Sequence, residues 1–398
     1  MSITGKAGNF SSVARKFVGG VVALAALFNP AAEGASVAAS AAARKAPGKL
    51  GVYCRLDDVV GNPTALRETM ETIKAAGIDF ILPYSKLTNG KVNWASTCAA
   101  PGMVANADFL PRVVEAAHAA GLLVYPVFCV TTEGGDERGN PVLAQNPSWA
   151  FYFNGARRGY IDPGNPAARR YEVDLMVEMV SKYPVDGLSL DYLRAPNRVG
   201  YTDTGRAAFL EKHGVDLAKV VAGADSRALE TEGGVKATTP PAAANKHPLW
   251  PAWRTWRREQ LNTFMREIHT AVTQARPGLP ISTYCWGAHT YTGNFETCQD
   301  WKTWIAEGWL DWINPSAYRY QDDDFRQAAA LNRANVPPGF PFYLTIGVKT
   351  SHGELADLAA VRRHMAMAKA AGAEGLVFFT WESLRRFLPA ATADLKSW

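Results

Sequence analysis

The sequence lacks the short motifs that carry most metal, nucleotide and serine chemistry. It contains no CxxC pair, no HExxH helix, no phosphate-cradling glycine loop and no GxSxG nucleophile elbow. Each of these motifs supplies groups at the spacing that its chemistry requires, so a zinc site, a P-loop and an α/β-hydrolase serine have no support in this sequence. The sequence therefore predicts no metal and no cofactor.

Charge of one sign and long apolar runs are also scarce. The formal net charge is only +5, and neither a long basic run nor an acidic tail occurs, so nucleic-acid binding has little support. The apolar run of residues 17–28, FVGGVVALAALF, is too short to span a bilayer comfortably. The composition instead fits a chain with a large buried core.

The N-terminal segment has the pattern of a secretory signal peptide. Lys6, Arg15 and Lys16 precede the apolar run, and small residues offer cleavage after Ala35 or near Ala39. We therefore predict a signal peptide over residues 1–36, a mobile linker over 37–48 and one catalytic domain over 49–398. The mature chain would be periplasmic or extracellular, without a membrane span. The competing interpretation is an uncleaved membrane anchor.

Five cysteines are an odd number for an exported protein. Cys54, Cys129 and Cys285 fall in predicted strands, where a buried thiol behaves as a small apolar side chain. Cys98 and Cys298 fall in predicted loops, where one disulfide between them is possible although spacing alone cannot show it.

Strand-like and helix-like segments alternate about eight times, which predicts an α/β fold of the (β/α)8 TIM-barrel type. The predicted strands are residues 50–54, 79–83, 122–130, 185–190, 280–286, 310–315, 341–347 and 375–380. Long loops follow strand three (131–165) and strand four (192–251), and loops of this length are usually functional. Chemistry in such barrels lies at the C-terminal ends of the strands.

The stretch YPVDGLSLDYLRAP, residues 183–196, places one carboxylate at each end of a predicted buried strand. Asp186 stands where the strand begins, on the face that serves stability, so we interpret it as structural. Asp191 stands where the strand ends, so it is the first candidate for catalysis. Its competing role is a bond to a loop backbone.

Carboxylates and aromatic rings recur at the other strand ends. Glycoside hydrolysis needs two carboxyl groups in different environments, one as proton donor and the other as nucleophile or base. Glu382 ends strand eight, across the barrel from Asp191, and could leave a water-sized gap between the two groups; a rim salt bridge is an equal alternative. Glu133, on the loop after strand three, is the next catalytic candidate, against a flexible surface glutamate. Asp57, Asp58, Lys86, Lys349 and His352 also follow strand ends.

Sugar rings present apolar C–H faces to aromatic rings and hydroxyls to polar side chains. The candidate substrate-binding residues are Tyr84, Asp162, Arg194, Trp286, His289, Tyr318 and Trp381. Asp162 could instead cap the following helix through an Asx turn, and Arg194 could form an ion pair with Asp191. The strand-end aromatic rings could equally pack in the core, and His289 could be incidental.

Three segments resemble a known family. NPSWAFYFN, YIDPGNPAARRYEVDLMVEMVSKYPVDGLSLDYLRAP and WPAWRTWRREQLNTFMREIHTAV resemble the bacterial glycosyl-hydrolase-like family ten over most of residues 49–382. The patterns DG-x-x-x-DY-x-R-x-P and W-x-x-W-R-R are the most specific parts. The resemblance implies a (β/α)8 barrel, O-glycosyl hydrolysis of bacterial wall or amino-sugar glycans, and a catalytic role for Asp191. A more distant similarity is to the glycanase domain of enzymes that process exported poly-N-acetylglucosamine.

The sequence thus predicts an exported glycoside hydrolase that acts on a cell-wall or amino-sugar polysaccharide through two carboxylates. One alternative is a non-catalytic glycan-binding barrel of the cell envelope, which would tolerate loss of the carboxylates. Another is a deacetylase or lyase on the same polymers. The sugar, the linkage, the stereochemical outcome and the oligomeric state stay open.

Overall fold

The structure is a computed structural model that describes residues 47–135, 140–196, 199–222, 247–287 and 297–398. The predicted signal peptide over residues 1–36 and nearly all of the predicted linker lie outside the described residues. So does His289.

Eight parallel strands form a nearly closed barrel, which confirms the predicted fold. They are β1 (Leu50–Cys54), β2 (Phe80–Lys86), β3 in two pieces (Leu123–Val124 and Val127–Cys129), β4 (Leu188–Asp191), β5 (Ile281–Cys285), β6 (Trp312–Pro315), β7 (Tyr343–Gly347) and β8 (Gly375–Phe379). The strands lie in the order β6-β5-β4-β3-β2-β1-β8-β7. Parallel bridges from Ile313 to Phe342 and from Ser316 to Thr345 bring the two outer strands together.

Several predicted strand boundaries were wrong. β2 continues to Lys86 rather than ending at residue 83, and β6 and β7 begin at Trp312 and Tyr343 rather than at 310 and 341. The boundaries of β3 and β4 also differ. The predicted strand 122–130 is split at Pro126, which has no backbone N–H to donate to a neighbour. β4 begins at Leu188 rather than 185. At Asp186 the regular ladder is interrupted, because the Val124 backbone N donates to the Asp186 side chain. Its Oδ2 accepts hydrogen bonds from the Val124 backbone N at 2.8 Å and from His118 Nε2 at 2.8 Å. Asp186 therefore fastens the N-terminal end of the barrel.

Helices follow the strands around the outside of the barrel. They are α1 (Pro63–Ala75), α2 (Phe109–Ala119), α3 (Pro166–Lys182), α4 (Trp250–Ala275), α5 (Trp301–Ala306), α6 (Asp322–Ala334), α7 (Leu358–Ala370) and α8 (Trp381–Leu384). Shorter helical segments are Pro141–Gln145, Pro147–Trp149, Asp203–His213, Leu217–Val221, Arg385–Phe387 and Thr392–Lys396. α1 and α3 each begin at a proline behind an asparagine cap, since proline needs no intrahelical hydrogen-bond acceptor there.

The core has two layers, one inside the barrel and one between barrel and helices. Inside, aromatic rings fill the space, with Phe80 5.5 Å from Trp312 and 6.0 Å from Tyr343 between ring centroids. Alternate side chains of each strand point outward and pack on the helices, for example Val52 and Cys54 of β1. The barrel interior is therefore a packed floor beneath its C-terminal end.

The long loop after β3 and the insertion after β4 pack on each other. The loop forms an antiparallel sheet of Thr132–Gly135, Ala150–Phe153 and Ala156–Ile161. Tyr152 stacks on Tyr201 of the insertion at 4.8 Å between ring centroids, and Arg157 pairs with Asp203 at 2.8 Å. Both long loops predicted from the sequence are thus ordered structures in their described parts.

None of the five cysteines, all of which lie in the described residues, is in a disulfide bond, so Cys98 and Cys298 are not bridged. Cys54, Cys129 and Cys285 are fully buried in strands, as predicted. None of the helices in the described part of the chain combines the length and apolarity that a membrane crossing would need.

One buried histidine should make stability depend on pH. His364 of α7 stacks on Phe325 of α6 at 4.0 Å, and burial lowers the pKa of His364 to about 4 from 6.5. The unfolded chain takes up this proton below about pH 6.5 but the folded chain only near pH 4, so stability should fall as the pH drops through that window. The loss is on the order of 3 kcal/mol. Urea unfolding at a series of pH values, beside a His364→Phe variant, measures it; parallel curves for the two proteins would contradict the assignment.

Candidate active site

A cavity of about 610 Å³ opens at the C-terminal end of the barrel. Its walls come from residues near or beyond the C-terminal ends of β1, β2, β4, β5, β6, β7 and β8, because parallel strands all finish at the same rim. The side chains include carboxylates, arginines and a belt of aromatic rings. The sequence had predicted a site at this end of the barrel.

Asp191 lies on the cavity wall as the last residue of β4. Its residue surface is only 7% exposed, and its Oδ1 accepts a hydrogen bond from the Tyr192 backbone N at 2.6 Å. Burial raises the pKa of Asp191 to about 6, although that hydrogen bond and the charge of Arg194 oppose the rise. A carboxyl group held near this pKa can both give and accept a proton at mildly acidic pH.

Asp57, on the loop after β1, is the second carboxylate on the described part of the cavity wall. It is exposed at the mouth of the cavity. Partial burial raises the pKa of Asp57, with Arg55 opposing and the charges of Glu382 and Asp58 adding to the rise. The two cavity carboxylates thus have different surroundings, one enclosed and the other open to solvent.

Strained backbone lies beside each of these carboxylates. Leu56 has φ of 61° and Tyr192 has φ of 52°, values in the left-handed region that non-glycine residues avoid. Leu56 precedes Asp57, and Tyr192 follows Asp191. Such outliers persist where the surrounding structure over-determines them, and they cluster at functional sites.

Aromatic rings form a belt around the cavity. It consists of Tyr84, Tyr192, Tyr284, Trp286, Tyr318 and Phe379. Tyr284 stacks on Tyr318 at 5.9 Å between centroids. The guanidinium of Arg194 lies between two rings, 4.6 Å from that of Tyr192 and 4.7 Å from that of Trp286. The belt offers flat apolar faces, which suit the C–H faces of sugar rings.

Arginine side chains give the wall positive charge beside its two carboxylates. Arg55, Arg194 and Arg319 all line the cavity. Arg319 Nη1 donates to the Tyr318 backbone O at 3.0 Å, which ties it to the aromatic belt.

The structure therefore brings together Asp191, Tyr84, Arg194, Trp286 and Tyr318 of the predicted site residues. Glu382 is not on the described cavity wall. Its Oε1 accepts a hydrogen bond from the Arg55 backbone N at 2.9 Å, so it binds the loop that carries Asp57. Its other carboxylate oxygen is buried without a hydrogen bond.

Glu133 is buried rather than on a flexible surface. Its Oε1 lies 2.5 Å from Lys86 Nζ, and the same ammonium lies 3.0 Å from Glu172 Oε2. All three side chains are fully buried and outside the cavity wall. Glu172 had a signal in the sequence, because it interrupts the buried face of α3 between Ala168 and Leu175.

Asp162 and Trp381 also lie away from the described cavity wall. Asp162 Oδ1 accepts from the Gly164 backbone N at 2.8 Å in an Asx turn, whereas Asn165 caps α3. Burial raises the pKa of Asp162 to about 6. Trp381 begins α8 and packs in the outer core layer.

Several wall residues escaped the sequence prediction. They include Arg55, Asn93, Tyr192, Tyr284, Arg319, Phe379 and the segment 87–89. Asp57 was noted at a strand end without a role. Tyr284 lies inside β5 and not past its end, so only knowledge of which face points inward would have found it. Among the described residues, no three His, Cys, Asp or Glu side chains are grouped as a metal site would need.

Residues 92–350 match the family glycosyl hydrolase-like 10. The chain is similar to the glycosyl hydrolase DigH of Escherichia coli strain K12, with 26% identity over 270 residues that cover 60% of this chain and 50% of that protein. The chain thus spans about half the length of the curated relatives it matches.

Solved structures share the barrel. The PgaB (BpsB) glycoside hydrolase domain from Bordetella bronchiseptica has a TM-score of 0.64 at 14% identity, over 87% of this chain and 98% of that chain. Gan42B, a GH42 β-galactosidase from G. stearothermophilus, has a TM-score of 0.55 at 16% identity, over 84% of this chain and 51% of that chain. At these identities the likeness shows the fold alone.

Proposed function

Because the chain belongs to the glycosyl hydrolase-like 10 family, we propose that it is a glycoside hydrolase that cleaves O-glycosidic bonds in a bacterial cell-wall or amino-sugar polysaccharide. The family, together with glycosidase barrels of the same fold, supports an enzyme that acts on glycans. The finer proposal depends on one observation: two carboxylates in different surroundings, Asp191 and Asp57, face one cavity belted by aromatic rings.

The two carboxyl groups take different roles in this proposal. Asp191 is enclosed and holds its proton to a higher pH than an ordinary aspartic acid, so it donates that proton to the glycosidic oxygen as the C–O bond breaks. Asp57 is the ionised partner. It either attacks the anomeric carbon or removes a proton from the water that does so, and the distance between the carboxyl groups selects between these two courses.

The belt and the arginines bind the substrate. Rings of Tyr84, Trp286 and Tyr318 pack against sugar faces, while Arg194 stands beside Asp191 and stabilises the carboxylate left after proton donation. Glu382 holds the loop of Asp57 and does not itself meet the sugar in this proposal.

We also propose that the protein is exported to the periplasm or beyond. The basic residues, apolar run and small residues of the N-terminal segment support this proposal. The mass of the mature protein from its native host measures it, because cleavage near residue 36 removes the segment. A full-length mass would contradict the signal peptide and favour the uncleaved membrane anchor, and a full-length protein in the cytoplasmic fraction would contradict export.

Product analysis tests the proposed reaction. The secreted domain is incubated with a panel of amino-sugar polymers and peptidoglycan strands, and new reducing ends are counted. Hydrolysis creates reducing ends without unsaturated sugars, whereas a lyase leaves an unsaturated sugar and a deacetylase leaves free amines at unchanged chain length. Binding without cleavage of any polymer would contradict the proposal.

The pH profile tests the role of Asp191. The donor form is the protonated one, and its fraction falls as the pH rises through about 6. We expect kcat/KM to fall about tenfold per pH unit above this value. Initial rates on the best substrate between pH 4 and 8 give the profile. If activity instead falls only on the acidic side of about pH 6, Asp191 acts as the ionised partner and the two roles are reversed.

A further inference from the structure

A buried ionic cluster lies one strand away from Asp191. We call Lys86, Glu133 and Glu172 the lysine cluster. Lys86 Nζ contacts both carboxylates, at 2.5 Å and 3.0 Å, and none of the three side chains is exposed. Cys129, whose backbone O accepts from Lys86 Nζ at 2.9 Å, is the register partner of Asp191 in the pairing of β3 with β4.

The cluster can be neutral although it holds two carboxylates and one ammonium. Burial raises the pKa of Glu172 well above its ordinary value, and the nearby charge of Glu133 adds to the rise while Lys86 opposes it. Glu172 therefore keeps its proton, and Lys86 pairs with Glu133. An uncompensated charge at such depth would be strongly destabilising. The buried ammonium of Lys86 therefore needs one ionised glutamate as its counter-charge, and either Glu133 or Glu172 can supply it.

Contacts lead from this cluster to the cavity wall. The side chain of Asn140 donates to Glu133 Oε2 and, at 3.0 Å, to the Asn89 backbone O. The Thr88 backbone O accepts from Thr132 Oγ1 at 2.9 Å and from the Gly134 backbone N at 2.9 Å. Segment 87–89 lines the cavity, and Lys86 is the residue immediately before it.

The turn that carries segment 87–89 packs closely against the lysine cluster. Gly90 has φ of 81°, and a side chain there would collide with Glu133 Oε2 and with the Asn140 side chain. Lys86 Nζ also donates to the Thr132 backbone O at 3.4 Å, so the cluster fixes both segments that hold the wall. The part of the wall formed by these segments presents neutral groups, Thr88, Asn89 and Asn93. Such groups suit the hydroxyls of an uncharged sugar ring better than an ion.

We infer that the lysine cluster is a positioning unit that fixes segment 87–89 as a subsite for a sugar ring, and so governs substrate affinity rather than bond cleavage. This inference rests on the proposed function for its substrate. Lys86, Glu133 and Glu172 do not themselves line the cavity, so they act through the wall that they hold.

Charge exchange between the two glutamates gives a sharp test. In Glu172→Gln, Glu133 keeps its pairing with Lys86; in Glu133→Gln, the remaining Glu172 ionises and takes over that pairing. KM should therefore change by less than about twofold in each single variant. The double variant Glu133→Gln/Glu172→Gln leaves the buried ammonium without a counter-charge. There we expect KM to rise about tenfold or more while kcat and its pH profile change little.

A third variant distinguishes the effect of the cluster on segment 87–89 from its effect on the stability of the protein. Lys86→Met/Glu133→Gln/Glu172→Gln has no buried charge, so its melting temperature should recover towards that of the parent. The carbonyls of residues 129, 130 and 132 lose the Lys86 ammonium as their donor in this variant, so KM should stay raised. A merely structural cluster would instead regain its KM together with its melting temperature. This variant also serves if the double variant does not fold.

Hydrogen–deuterium exchange supplies a readout that needs no substrate. Backbone N–H groups of Leu87 and Gly90 are hydrogen-bonded within this turn. Peptides that span residues 84–93 should exchange about tenfold faster in the double and triple variants, while peptides over residues 50–58 should not change. Unchanged exchange over 84–93 would overturn the inference. It would also be overturned if exchange were faster but KM equalled that of the parent, or if only kcat fell.

The same set of measurements distinguishes failure of the inference from failure of the proposed function. If the parent hydrolyses no polymer of the panel, the proposed reaction fails. Calorimetric binding of an N-acetylglucosamine oligomer then replaces KM, with the same expected order among the variants. If the parent neither cleaves nor binds this oligomer, the assignment of a sugar subsite is overturned as well.

Discussion

Replacing Asp191 by Asn should lower kcat roughly 10²–10⁴-fold without unfolding the protein. Asparagine has nearly the shape of aspartate, and its carbonyl oxygen can still accept the hydrogen bond from the Tyr192 backbone N that now holds Oδ1. It has no acidic proton to give to a leaving oxygen. The change therefore removes the chemistry of a buried side chain and keeps its packing. Reducing-end assays with saturating substrate measure the loss.

Asp186→Asn is the matched control, because it makes the same chemical change on the segment that leads into β4. Asp186 accepts from Val124 and His118 at the opposite end of the barrel from the cavity. We expect its loss to lower the melting temperature and leave kcat nearly unchanged. A well-folded Asp191→Asn variant with the activity of the parent would remove Asp191 from the mechanism. A variant of Asp186 with a comparable loss of kcat would show that the assay follows folding.

The barrel was predictable because its information is local. Each strand is a short apolar run before a turn, and each helix repeats apolar residues at its own period, so eight alternations suffice for the fold. Boundaries were less predictable. β3 is split because Pro126 cannot donate to its neighbour, and β4 is short because Asp186 binds across to Val124. Both effects depend on the adjacent strand, which the local pattern does not contain.

The candidate site was predictable only as a position along each strand. The C-terminal end of a strand can be located only approximately from its pattern, and the direction of the next side chain depends on the turn that follows. Tyr318 turns into the cavity, whereas Trp381 begins a helix and packs in the core. Glu382 follows that tryptophan and binds the backbone of Arg55, which no spacing in the sequence indicates.

The burial of the charge of Glu133 was also not predictable from the sequence. A glutamate on a long loop is typically solvated, and the partners that bury this one come from β2 and α3, far away in sequence. Only Glu172, as an acid on the buried face of an amphipathic helix, carried a local sign of an unusual environment. A charge on such a face requires a partner, although the sequence does not say which one.

The identity of the second carboxylate leads to the other large expected effect. Asp57→Asn should lower kcat about 10²-fold or more, because an amide can neither attack the anomeric carbon nor accept a proton from water. Asp57 is exposed on the cavity wall, so the substitution leaves no buried group unpaired and should not change the melting temperature. Rates with saturating substrate and thermal unfolding of the same preparation measure the two quantities.

Two variants of carboxylates close to Asp57 serve as controls for this measurement. Asp58→Asn alters the adjacent carboxylate, which is exposed and faces Arg385 at 3.9 Å, so kcat should hold near the value of the parent. Glu382→Gln keeps an oxygen that can accept from the Arg55 backbone N and removes only a charge that raises the pKa of Asp57. Its effect should be a shift of the pH profile, with kcat reduced less than about tenfold. If Glu382→Gln loses more activity than Asp57→Asn, then Glu382 is the partner of Asp191, as the sequence first indicated, and the loop after β1 supports it rather than the reverse.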